Sequence, residues 1–101
     1  MKYGLPEEEL DLIIEACAKL PEIEEALLFG SRAKGNYKRG SDVDLALKGE
    51  AVTGDTVLDL SVQLNQELPL PYFFDVLRYD SISNSDLVAH IDRVGVVIYE
   101  Q

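Results

Sequence analysis

The chain has no tryptophan, one cysteine and one histidine in 101 residues. A lone Cys17 leaves no intrachain disulfide to form, and a cytoplasmic protein is the simple expectation. With one His90 beside that one cysteine, a closed zinc site is excluded for want of ligands. Any metal must therefore be held by oxygen, which points to Mg²⁺, Mn²⁺ or Ca²⁺. No run approaches the ~20 apolar residues that span a bilayer, and Met1 to Pro6 has no apolar leader region, so no membrane association is expected. Positive charge is scarce: nine Lys and Arg stand against nineteen Asp and Glu, a formal charge of −10. That disfavours a broad duplex-DNA footprint, which rests on neutralising phosphates.

The scarce positive charge is concentrated. Residues 32–39 carry Arg32, Lys34, Lys38 and Arg39 and no acid, whereas residues 1–25 carry eight acids against Lys2 and Lys19. A compact basic island on an acidic protein suits a small polyanion, although a solvated loop would show the same charge pattern. Hydrophobic residues make up 47 %, enough for one core. The length predicts a single domain over 1–101, too small for a separate acceptor-binding lobe, so a partner is expected.

Periodicity sets out the elements. Pro6 followed by Glu7, Glu8 and Glu9 opens a helix, since Pro fits a first turn and acids suit the positive end of the helix dipole. Leu10, Ile13, Ile14 and Cys17 form its apolar stripe to about Leu20, and Pro21 stops it. Glu25 to Phe29 reads as a short buried strand broken by Gly30, with Ser31 as N-cap of a short helix over 32–35. Asn36 to Gly40 is turn-rich, and Asp42 to Leu47 alternates polar and apolar residues as a strand does. Asp55 to Leu68 reads as a helix with Val57, Leu60, Leu64 and Leu68 inward. Tyr72 to Arg78 follows as a strand, with Phe73 and Phe74 expected in the core. Ser85 is expected to cap a last helix ended by Gly95, before a terminal strand Val96 to Tyr99. The fold class is α/β (α+β): one small mixed β-sheet packed with helices.

Three carboxylates and one turn carry the chemistry. Asp42 and Asp44 are two residues apart on a strand, so both point to one face with Cα atoms about 6.5–7 Å apart. Two like charges so placed repel unless a cation intervenes, and paired carboxylates are usual Mg²⁺ ligands. Asp75, between Phe74 and Val76, is an acid in an apolar strand and needs a reason if buried. If its strand lies beside that of Asp42 and Asp44, the three can serve two metal ions about 3.5–4 Å apart, the arrangement used in phosphoryl and nucleotidyl transfer. Taken singly, each has an ordinary reading as a turn, exposed-strand or edge-strand residue. Gly30-Ser31 stands where a strand should meet a helix start, a place where backbone N–H groups face an anion and glycine permits close approach. GSRAKG is not a P-loop, because Asn36-Tyr37 stands where Lys-Ser/Thr is required.

Gly30-Ser31, ten intervening residues and then Asp42-x-Asp44 resembles the signature of the DNA polymerase β nucleotidyltransferase superfamily. The string GSRAKG…RGSDVDLAL is most similar to its minimal nucleotidyltransferases, and the resemblance extends over essentially the whole chain. It implies a polymerase-β-like nucleotidyltransferase fold. It implies that Gly30 and Ser31 bind the triphosphate of ATP or another nucleoside triphosphate. Asp42 and Asp44 would ligate two Mg²⁺ (or Mn²⁺), and Asp75 would ligate the catalytic ion and help deprotonate an attacking hydroxyl. Arg32 would contact the nucleotide or else form a structural ion pair; Lys34 and Arg39 are further phosphate candidates, and Tyr37 would stack a base or cover the loop. His90, far along the chain, reads as a surface or rim histidine.

The resemblance further implies a small helical HEPN-type partner in a hetero-oligomer. The chain would act as antitoxin, moving AMP from ATP to a tyrosine of the partner toxin. Two other readings remain: a non-catalytic nucleotide- or partner-binding subunit, and a transferase acting on an aminoglycoside-like small molecule, whose relatives usually carry an extra helical domain. Template-dependent polymerisation is disfavoured by size and charge.

Overall fold

The structure, a computed structural model, describes all 101 residues. Helices and strands alternate in the order α1 (Glu7–Ala18), β1 (Glu25–Phe29), α2 (Gly30–Lys34), β2 (Val43–Lys48), α3 (Gly54–Val62), β3 (Phe74–Arg78), α4 (Ser85–Val94) and β4 (Val96–Glu100). The four strands form one mixed sheet in the order β3-β2-β1-β4. β1 is antiparallel to both β2 and β4, while β2 and β3 run parallel. A parallel pair needs a long crossover, and α3 supplies it. No helix is long and apolar enough to cross a membrane.

Period-two alternation divides the sheet into two faces. Ala26 and Leu28 of β1, Val43, Leu45 and Leu47 of β2, and Phe74 and Val76 of β3 face the main core, where Ile13, Ala16 and Cys17 of α1 and Leu60 of α3 cover them. Burial pushes the Cys17 thiol up to about 12, so it is an inert core residue. The opposite face is smaller. Phe29, Ala46 and Ile91 of α4 are its buried centre, with Leu77, Tyr79, Ile82 and Leu87 packed around them.

Several boundaries differ from the sequence reading, each for a local reason. α1 ends at Ala18, with Lys19 as its C-cap. α2 starts at Gly30, so Ser31 lies inside the helix and Phe29 is the capping residue, with no side-chain cap. The cap of α4 is Asn84, whose Oδ1 accepts from the N–H groups of Asp86 and Leu87, and Ser85 is the first helical residue. α3 begins under a reciprocal Thr53–Thr56 capping box and stops being α-helical at Val62. A π-helical turn, Gln63–Glu67, continues it. That turn presents Asn65 to the open edge of β3. Asn65 Nδ2 donates to the Phe74 carbonyl (3.0 Å) and Asn65 Oδ1 accepts from the Phe74 N–H (2.8 Å), so a side chain supplies the pairing an edge strand lacks. Phe74 is buried as expected, but Phe73 is 61 % exposed.

Candidate active site

The site grows from one row across the sheet. Phe29 of β1 pairs with Asp44 of β2, and Asp44 pairs with Asp75 of β3. Neighbouring strands are about 4.8 Å apart, so the two carboxylates leave adjacent backbones on the same face. This is the face of the smaller core: the next row, Leu27–Ala46–Leu77, lies under α4. The row's open end carries the acids because no helix covers it there. Asp42 lies just before β2 and is exposed, Asp44 is half-buried, and Asp75 is exposed.

Asp75 thus carries no burial cost. β3 is the edge strand, and its outward face at this row meets solvent rather than packed side chains. Its claim to a role comes from its register with Asp44 and not from a burial cost. The three acids sense one another: the Asp44 carboxyl is raised above the usual carboxylate range, first by desolvation, then by the charge of Asp75 and then by that of Asp42. As they stand, no three acidic, histidine or cysteine groups lie close enough together to hold an ion between them. The donor chemistry nonetheless fits a hard divalent cation. All three groups are carboxylates, two of them are exposed, and the middle one resists ionisation because it is partly desolvated and its neighbours share its sign.

The turn at Gly30 closes the row on its β1 side. Gly30 has φ +75°, a conformation costly for any side chain, and a Cβ there would collide with Asp44 Oδ2. Glycine at this position thus lets the start of α2 sit directly against the Asp44 carboxylate. The Gly30 N–H donates to His90 Nε2 at 3.2 Å, and the imidazole meets the Phe29 ring edge-to-face at 6.2 Å between centroids. His90, read from sequence as a rim residue, is half-buried at the centre of this arrangement. Nothing in local spacing marks it; only the docking of α4 on α2 and β1 brings it there.

Of the two roles open to Arg32, the structure displays a structural one. Arg32 is 3 % exposed, and its guanidinium serves the fold. Nε and Nη2 donate to the Ser41 carbonyl (3.1 and 2.8 Å), and Nη1 donates to the Tyr3 carbonyl (2.9 Å). Its Cζ lies 4.8 Å from the Tyr72 ring centre and 5.4 Å from that of Tyr37. It is neither an ion pair nor a free cation: it clamps the basic loop and the N-terminal segment onto α2. Tyr37 accordingly covers Arg32. Lys34, Lys38 and Arg39 are exposed. Arg39 and Lys38 border a cavity of about 400 Å³ beside Arg32, Tyr37 and Tyr72.

Comparison with known proteins decides the family. The polymerase beta nucleotidyltransferase model matches residues 11–101. The chain belongs to the polymerase beta nucleotidyltransferase family. This nucleotidyltransferase is 31 % identical over 100 residues to a Haemophilus influenzae protein named "Probable protein adenylyltransferase MntA", in an alignment that covers 99 % of this chain and 87 % of that one. Its fold is that of a toxin–antitoxin crystallised with AMP-PNP (TM-score 0.71, 20 % identity, 96 % of this chain and 75 % of the other). It also matches an MntA–HepT toxin–antitoxin structure (TM-score 0.71, 17 % identity, 95 % and 74 %). The polymerase-β-like nucleotidyltransferase fold expected from the sequence is thus the fold found.

Proposed function

We propose that this nucleotidyltransferase transfers AMP from ATP to a tyrosine hydroxyl of a HEPN-type partner toxin, and so acts as the antitoxin of a two-protein complex. The observation that carries the reading is the row Phe29–Asp44–Asp75, with Gly30 seated against Asp44. It sets a turn suited to phosphate beside a set of carboxylates suited to divalent cations. The adenylyltransferase name of the Haemophilus influenzae relative supports AMP as the group moved. The toxin–antitoxin neighbours, one crystallised with AMP-PNP, support the partner and the nucleotide.

In this reading Gly30 and Ser31 receive the triphosphate through backbone N–H groups and the Ser31 hydroxyl. Asp42, Asp44 and Asp75 would hold two Mg²⁺, with Mn²⁺ as a substitute, and the ions would supply neutralisation of the charge on the attacking and leaving oxygens. The acceptor oxygen forms a bond to the α-phosphorus as the bond from that phosphorus to the β-phosphate oxygen breaks. Pyrophosphate leaves, and the hydroxyl proton passes to Asp75, the carboxylate exposed at the sheet edge. Positioning supplies much of the rate, since both reactants are held. Arg32 acts indirectly, by fixing the loop that leads into Asp42. The protein works as one domain in a hetero-oligomer in the cytoplasm.

The test is pyrophosphate release from Mg-ATP by the chain mixed with its genomic neighbour. Release is expected only with both proteins present. Release without the partner, or none with it, contradicts the proposed acceptor.

A further inference from the structure

We infer that His90 competes with ligand for the phosphate turn, occupying the Gly30 N–H until an anionic oxygen displaces it. The inference rests on the nucleotide reading above and deepens it. Gly30 begins α2, so its N–H has no partner within the helix. The side chain that satisfies it comes from 60 residues away, through Nε2 at 3.2 Å. To accept from this N–H, Nε2 must present its lone pair to it. The ring is fixed by its edge-to-face packing on Phe29 and by the docking of α4 on α2 and β1, so its lone pair is aimed and not incidental.

A phosphate oxygen and the imidazole cannot both accept from this one N–H. Charged acceptors form the stronger hydrogen bond, so a triphosphate displaces Nε2, whereas a neutral oxygen gains little by the exchange. His90 therefore subtracts one hydrogen bond from the affinity of every ligand of the turn, which biases the turn toward anions.

The test uses binding of AMP-PNP with Mg²⁺, which needs neither acceptor nor turnover. His90→Phe keeps an aromatic ring against Phe29 and removes the acceptor; His90→Gln keeps an acceptor oxygen. His90→Phe is expected to bind AMP-PNP about 3- to 10-fold more tightly than wild type, the range of one net hydrogen bond. His90→Gln is expected to stay near wild type. In turnover the Phe variant should lower KM. Affinity that is unchanged or weakened in His90→Phe overturns the inference and leaves the nucleotide reading intact. A wild-type chain that binds no AMP-PNP contradicts the nucleotide reading and this inference with it.

Discussion

Gly30 and Asp44 are packed so closely that no side-chain carbon can stand at position 30 without striking the Asp44 carboxylate. The contact joins the Gly30 turn to the middle acid of the site, and it gives the first prediction. Gly30→Ala meets the strain of φ +75°, worth about 1–2 kcal/mol, and must also push Asp44 aside. The variant should melt at a lower temperature and, at temperatures where it is folded, bind AMP-PNP more weakly than wild type. Calorimetry on the same preparations checks both.

Arg32 should behave as a structural residue. Arg32→Ala removes hydrogen bonds to two backbone carbonyls and two guanidinium–ring contacts, and is expected to cost about 2–4 kcal/mol of folding free energy. Below its melting temperature, its affinity for AMP-PNP should remain within a few-fold of wild type. Denaturant unfolding and nucleotide titration together check this, and full stability with lost binding would restore the ligand role expected from sequence.

The raised pKa of Asp44 has a stability consequence with a definite sign. Its native pKa lies above its unfolded value, so below the unfolded value the group imposes no penalty. As pH rises through the native pKa the folded chain must carry an unwelcome charge beside Asp75 and Asp42, and stability from this group is lost. At neutral pH without divalent cations, Asp44→Asn should therefore melt above wild type. Adding Mg²⁺ should raise the wild-type melting temperature more than that of the variant.

Asn65 should matter to the site although it is far from the acids in sequence. Its side chain binds both backbone polar groups of Phe74, the residue before Asp75. Asn65→Ala is expected to cost about 1–3 kcal/mol by leaving these groups unsatisfied at the sheet edge. Amide exchange at Phe74 and Asp75 should quicken by more than at β1, which is paired on both sides.

The order of elements was legible because each apolar pattern is local and the breakers Gly30, Gly49, Pro69 and Gly95 separate them. The acids of the site were legible too: Asp42 and Asp44 by alternation, Asp75 by its strange company. Their pairing was not, since only the parallel β2–β3 register sets Asp75 opposite Asp44. Asn65 and His90 escaped for the same reason. Each acts across a gap that no sequence period spans, nine residues in one case and 60 in the other. Arg32 stayed open between two roles because basic loops near a glycine turn suit phosphate, whereas its planar guanidinium also fits the two carbonyls and two tyrosine rings it meets. Thr53 was overlooked as a cap because Asp55 offered a competing helix start.

Transfer of AMP onto a partner tyrosine is proposed to depend on Asp42, Asp44 and Asp75. The most direct measurement is the intact mass of the genomically neighbouring protein after incubation with this chain and Mg-ATP, with fragmentation to locate the added group. An AMP increment on a tyrosine is expected with wild type and, with Asp42→Ala, a rate at least about 100-fold lower. No increment with wild type, or an undiminished one with Asp42→Ala, would contradict the proposal.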